Sequence, residues 1–246
     1  MWAALANPGH FMRWSGRALL PLALATAGLA GWGLYLALVV APPDYQQGET
    51  VRIMFVHVPA AWLAMFFYVV MAASALGSLV WRHPLADVAQ LAAAPIGAAF
   101  ALICLVTGSL WGKPMWGTYW VWDARLTSML VLFLMYCGIL ALWRTMEDPA
   151  RAARAVSILT LVGIVNIPVI KFSVDWWFTL HQGASVLRMS GPTIHPSILT
   201  PLLVMALAFT LFGVTLHLAG MRTEILRRRV RRLTLLEAER LDGASA

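Results

Sequence analysis

Six stretches of about twenty residues or more run almost without charge through this sequence, at 18–41, 51–81, 88–110, 124–143, 155–173 and 197–221. A helix rises about 1.5 Å per residue, so about twenty apolar residues cross a hydrocarbon core of about 30 Å. In lipid every backbone N–H and C=O must be bonded inside the protein, and for runs of this length that means helices. The expected fold is an all-α membrane protein, a bundle of six transmembrane helices. Charge content agrees: 12% of the 246 residues are charged, where a soluble domain carries about a quarter. The first run is too long for the core of a signal peptide and is followed by Pro42, so it reads as a retained span.

A net charge of +7 could point to nucleic acid, but most of the cations flank the apolar runs. There they orient helices in a bilayer. The segment before the first run, the turns after the second and fourth, and the stretch after the sixth hold 13 of the 18 Lys and Arg residues. The opposite side holds Arg52, Lys113, Arg125, Lys171 and Arg188. Both termini are therefore expected in the cytoplasm, with residues 1–221 forming one six-span domain and 222–246 a basic cytoplasmic tail. Leu226, Val230 and Leu233 recur at helical spacing among Arg227, Arg228, Arg229, Arg231 and Arg232. That pattern suits a helix lying on the anionic inner leaflet, or a plain stop-transfer flank. Cys104 and Cys137 sit inside apolar runs and read as small buried residues, since no Cys-x-x-Cys or disulfide pattern is present.

Between the third and fourth runs lies 111–125, Trp-Gly-Lys-Pro-Met-Trp-Gly-Thr-Tyr-Trp-Val-Trp-Asp-Ala-Arg, with four of the twelve tryptophans. One or two such rings would read as an interfacial belt. A belt does not need Gly112, Pro114 and Gly117 to break the helix between the rings. Trp111, Trp116, Tyr119, Trp120 and Trp122 offer flat faces and polar tips, and Lys113 and Arg125 can meet anionic groups at a ligand's edge. Asp123, counted with this platform, can cap the fourth helix or act as an orienting acceptor, and Pro59 is placed to bend the second just below His57.

His57, His181 and His195 fall on the outer side with this platform. Haem takes axial imidazoles, stacks on indoles and presents carboxylates to Arg, Lys or indole N–H. Zinc also accepts imidazole, but prefers a compact set of four ligands and has no use for the tryptophans.

The 111–125 segment resembles the tryptophan-rich "WWD" signature of the haem-handling membrane proteins of cytochrome c maturation. Val-His-Val-Pro-Ala-Ala at 56–61 and Trp-Trp-Phe-Thr-Leu-His-Gln-Gly at 176–183 resemble the segments carrying that family's outer-face ligand histidines. The similarity runs from Pro42 to the sixth span, and the length fits the short, exporter-type members rather than the many-span haem lyases.

This resemblance implies that haem b is held non-covalently at the periplasmic surface of the bacterial inner membrane, with short periplasmic loops carrying the site. His57 and His181 would be its axial ligands. It implies delivery to a membrane-anchored haem chaperone of the CcmE type, and association with the ABC-type subunits CcmA and CcmB and the small membrane subunit CcmD. His195 belongs to no such motif and reads as a solvated loop residue. The function expected is delivery rather than catalysis. The competing reading is a membrane b-type cytochrome passing electrons to quinone, but the chain has no obvious histidine pair for an inner-side haem.

Overall fold

The computed structural model describes residues 7–244 apart from 184 and 187, and among them all regular structure is helical save an isolated bridge between Asp44 and Gly48. Helix α1 (Pro8–Tyr35) continues through a π turn, Leu36–Val40. A 3-10 turn, Glu49–Ile53, leads into α2 (Met54–Trp81), followed by α3 (Ala86–Trp116) and α4 (Ala124–Thr145). Then come α5 (Pro149–Gly163), α6 (Asn166–Trp176) and the 49-residue α7 (Pro196–Ala244). These supply six helical segments long and apolar enough to cross a membrane, α5 and α6 together making the fifth. The chain is a multi-pass membrane protein.

Helix α2 is the centre of the bundle, packing on α3, α5 and α7. Ala60, Leu63, Ala64, Phe67, Tyr68, Met71 and Ala75 recur at the three- and four-residue spacing of one helical stripe, and all are fully or almost fully buried. The hydroxyl of Tyr136 on α4 donates to the carbonyl of Ala64 at 2.8 Å. Helix α1 stands at the outside, packed along α7.

Local chemistry sets several helix ends. Asn7 caps α1, Asp148 caps α5, and Pro8 and Pro149 occupy first-turn positions where a missing N–H costs nothing. Asp123 caps α4 as expected, its Oδ1 accepting from the Leu126 N–H at 2.8 Å. Pro114 does not break α3. The helix runs on to Trp116 and stops at Gly117, whose φ of 76° is the left-handed conformation of a helix C-cap. Pro59 likewise lies inside α2.

The fifth span divides at Ile164 and Val165. A Cβ on Gly163 would stand 1.8 Å from Cε of Met135 and 2.1 Å from the Tyr68 hydroxyl, so only glycine lets α5 seat this closely. Asn166 then donates to the carbonyl of Ser128 at 2.9 Å and starts α6 on a new path, with its main packing on α4.

At the end holding the described chain termini, Arg228 joins Asp87 (2.6 Å) and Glu224 (2.8 Å), and Arg222 donates to the Met12 carbonyl and the Ser15 hydroxyl. The basic segment is thus a continuation of the sixth span, not a separate helix. Cys104 is buried, whereas Cys137 is exposed on the outer surface of the bundle, against expectation. It lies in an apolar run that faces lipid rather than the core.

Candidate ligand-binding site

At the other end, α2, α3, α4, α6, the start of α7 and the loops beside them line a cavity of about 460 Å³, within the range of about 300–1,000 Å³ usual for small-molecule sites. His57, Trp111, Trp116, Trp120, Arg125 and His181 line it. Lys113, Tyr119, Trp122 and Asp123 do not.

His57 sits in the first turn of α2. Its Nδ1 is 3.1 Å from the carbonyl oxygen of Cys104 and 3.1 Å from Oγ1 of Thr107, both on α3. Donation from Nδ1–H to that carbonyl fixes the tautomer that leaves an unprotonated Nε2. The ring can lie this close to α3 because residue 108 is glycine: a Cβ there would be 2.9 Å from Cε1 of His57. Trp111 meets the imidazole edge-on at 5.6 Å between centroids.

His181 comes from the segment joining α6 and α7. Trp116 meets its ring edge-on at 4.8 Å. Its Nδ1 is 3.5 Å from Oδ2 of Asp123, too long for a good hydrogen bond, and has no other partner among the described residues. The hydroxyl of Thr179 donates to the same Oδ2 and accepts from the His181 N–H at 3.2 Å. Asp123 therefore caps α4, ties down the 179–181 turn and faces the imidazole, all from behind the cavity wall. Burial lowers the pKa of His181 below 6.5, Asp123 opposing that and Arg125 adding to it. Burial alone would raise Asp123, but the hydrogen bonds from Leu126 and Thr179 and the neighbouring His181 outweigh it and hold the carboxyl below 3.8.

The remaining residues divide by position. Trp120 lines the cavity, and its buried Nε1 has no partner among the described residues. Trp122 is 76% exposed and touches Trp120 edge-on at 5.5 Å. Trp111 donates from Nε1 to Oε1 of Gln47 at 3.0 Å, which fastens the loop after α1 against the site. Arg125 donates to Ser173 and to the carbonyls of Ile170 and Lys171, so part of its fork holds the end of α6. Lys113 donates to the Gly117 carbonyl at 3.0 Å and lies 5.3 Å from the ring centre of Tyr119, an exposed pair at the end of α3. His195 is exposed, bonded to Ser197 at 2.8 Å, and lies outside the cavity.

Sequence reading missed Gln47, Met54, Ala61, Trp62, Met65 and Met129, which also line the cavity. Four of these were within reach: Met54, Ala61 and Met65 share the helical face of His57 at three- and four-residue steps, as Met129 does with Arg125. Among the described residues no cluster of three or more His, Cys, Asp or Glu could hold a metal ion. What the arrangement supplies is two imidazoles, broad indole walls and a cation above an apolar floor.

The family model described as Heme exporter protein C matches residues 1–236. The Heme exporter protein C of Bradyrhizobium diazoefficiens is 65% identical over 241 residues, 98% of this chain and 91% of the relative. That of Escherichia coli strain K12 is 48% identical over 218 residues, 89% of this chain and 85% of the relative. A cytochrome c biosynthesis ccmC-like mitochondrial protein of Marchantia polymorpha is 47% identical over 215 residues, 87% of this chain and 91% of the relative.

Proposed function

The chain belongs to the Heme exporter protein C family, and from that premise we propose that it binds haem b non-covalently at the periplasmic surface of the bacterial inner membrane and delivers it to a CcmE-type chaperone during cytochrome c maturation. Its role is carriage, not catalysis. The observation that carries the reading is that His57 and His181, far apart in sequence, line one cavity, each with Nδ1 turned toward the protein. That leaves two Nε2 atoms for an iron. Trp111, Trp116 and Trp120 supply the faces against which a porphyrin packs, and Arg125 supplies a cation for its carboxylates. Lys113, Tyr119 and Trp122, outside the cavity, are assigned to its rim, where an arriving partner can touch both haem and protein.

The division between fixed and free groups suits a carrier. Trp122 is exposed and touches Trp120 of the cavity wall, so haem held by two imidazoles remains within a chaperone's reach. Family membership supports work alongside the ABC-type subunits CcmA and CcmB and the small subunit CcmD, and the cation asymmetry supports cytoplasmic termini.

Absorption spectra of the full-length protein, purified from cells with and without the chaperone, test the proposal. A six-coordinate low-spin spectrum that is lost to the chaperone on mixing is expected. A haem that stays through turnover, changing only its redox state, would instead identify a b-type cytochrome. Alkaline phosphatase fused after Gly117 or Gly183 should be active and fused after Pro149 inactive, and the reverse would place the cavity on the cytoplasmic side.

A further inference from the structure

The cavity does not end at the membrane surface. Counting about twenty residues of core inward from Arg82 along α2 puts the outer boundary of the hydrocarbon near Ala61. His57 lies above that level, and Ala61, Trp62 and Met65, which also line the cavity, lie at or below it. On the facing helices Met129 of α4 and Ile170 of α6 line the same lower part. The division of the fifth span makes this floor possible. Helix α5 packs on α2, whereas after the break α6 has its main packing on α4, and the cavity lies between residues of α2 and α6 over the outer half. The residues at this level are not sealed from the surroundings: Trp62 is 48% exposed and Lys171 is exposed, yet both line the cavity. The Lys171 ammonium has no hydrogen-bond or ion-pair partner among the described residues.

Resting on the haem-binding reading above, we propose that the opening between α2 and α6 is a lateral doorway through which haem passes between the outer leaflet and the cavity. A flat, mostly apolar ring with two carboxylates on one edge matches its chemistry. The ring slides edge-on past Trp62 and Met65 at hydrocarbon depth, while the carboxylates stay at the interface against Lys171 and Arg125. A phospholipid is the competing occupant, but it has one phosphate and flexible chains, and neither needs an aromatic wall leading to two imidazoles.

The test compares two sources of haemin for the full-length protein in proteoliposomes: haemin dissolved in the phosphatidylcholine bilayer, and haemin carried in the aqueous phase by albumin. The low-spin spectrum is followed in time. Ala61→Phe narrows the doorway and should slow loading from the bilayer roughly tenfold relative to loading from albumin, the effect of one overpacked side chain on a barrier. Lys171→Gln changes an exposed side chain and keeps the fold. It should slow bilayer loading of haemin by about 2- to 5-fold, the range of an interfacial ion pair, and leave haemin dimethyl ester unaffected. Equal slowing from both sources, or none, overturns the doorway, as does a phospholipid found on the protein by native mass spectrometry that haemin does not displace. If the wild-type protein gives no low-spin haem from either source, the haem-binding reading itself fails, which is a separate result.

Discussion

At the end of the bundle that holds the described termini, polar side chains bond one another: Arg228 with Asp87 and Glu224, Arg222 with Met12 and Ser15. One level in, Gln90, Ser157 and Thr160 do the same. At the opposite end Trp120 lines the cavity with a buried Nε1 that has no partner among the described residues, and His181 lines it with its Nδ1 turned back toward Asp123 at 3.5 Å. Buried polar atoms are nearly always satisfied in folded proteins, so an unpaired indole N–H on a cavity wall supports reading that wall as a ligand site. Two more, Tyr68 Oη and His217 Nδ1, lie away from the cavity against aromatic neighbours, Tyr136 and Phe67. One end is thus built for stability, the other for occupancy, and substitutions at the two should fail in different ways.

The largest effect is expected at the proposed iron ligands. His57→Ala or His181→Ala should remove the six-coordinate spectrum and lower haem retention by more than about 100-fold, above the 10- to 100-fold usual for groups that only orient a ligand. His195→Ala should change neither, and loss of the low-spin signal in that variant would reassign the ligands. Trp120→Ala should cost about 5- to 150-fold in retention, borrowing the 1–3 kcal/mol of an aromatic stacking contact, with the spectrum of the remaining haem unchanged. Asp123→Asn keeps the cap of α4 and removes the charge facing His181, for a loss of about 10- to 100-fold.

The same variant tests the electrostatics. A neutral imidazole binds iron and a protonated one does not, so with His181 held below 6.5, haem should be retained down to that pH and be released only below it. Asp123 opposes the lowering, so Asp123→Asn should lower the pKa of the free His181 imidazole further, read by titrating the haem-free protein. A His181 imidazole that titrates higher in that variant would contradict this geometry. Trp122→Ala should be milder than Trp120→Ala, about 2- to 12-fold, because its exposed ring contributes one edge contact worth about 0.5–1.5 kcal/mol.

That last contrast was not legible in the sequence. Trp120 and Trp122 stand in one Trp-Val-Trp pattern, and only the path of the 117–123 loop puts one in the cavity and the other outside. Hydropathy located all six spans because lipid leaves an apolar run little choice but a helix. It could not find helix ends, since α1 begins at Pro8 in polar sequence and α3 runs through Pro114. The division of the fifth span was hidden for a related reason. Gly163, Asn166 and Pro168 lie in an apolar stretch, and the close seating of Gly163 against Tyr68 and Met135 exists only in three dimensions. His57 and His181 stood out through the motifs around them, whereas Met54, Ala61 and Met65 follow only from the three- and four-residue steps that put them on the face of His57.

The smallest effect, and the sharpest control, belongs to the closed end. Gln90 is fully buried, donating to Thr160 at 2.9 Å and accepting from Ser157 at 3.0 Å, and so ties α3 to α5. Gln90→Leu keeps most of the volume and removes both bonds. The two hydroxyls can turn back to carbonyls of their own helix, and hydrogen bonds between membrane helices average about 0.6 and reach about 1.7 kcal/mol, so the cost should stay within that range. Unfolding in mild detergent would read it. Haem retention, the low-spin spectrum and transfer to the chaperone should match the wild type, because neither Gln90 nor its partners line the cavity. If Gln90→Leu instead lowered haem retention as much as Trp120→Ala, the two ends would be coupled through α3, and the separation of a stabilising end from a binding end would fail.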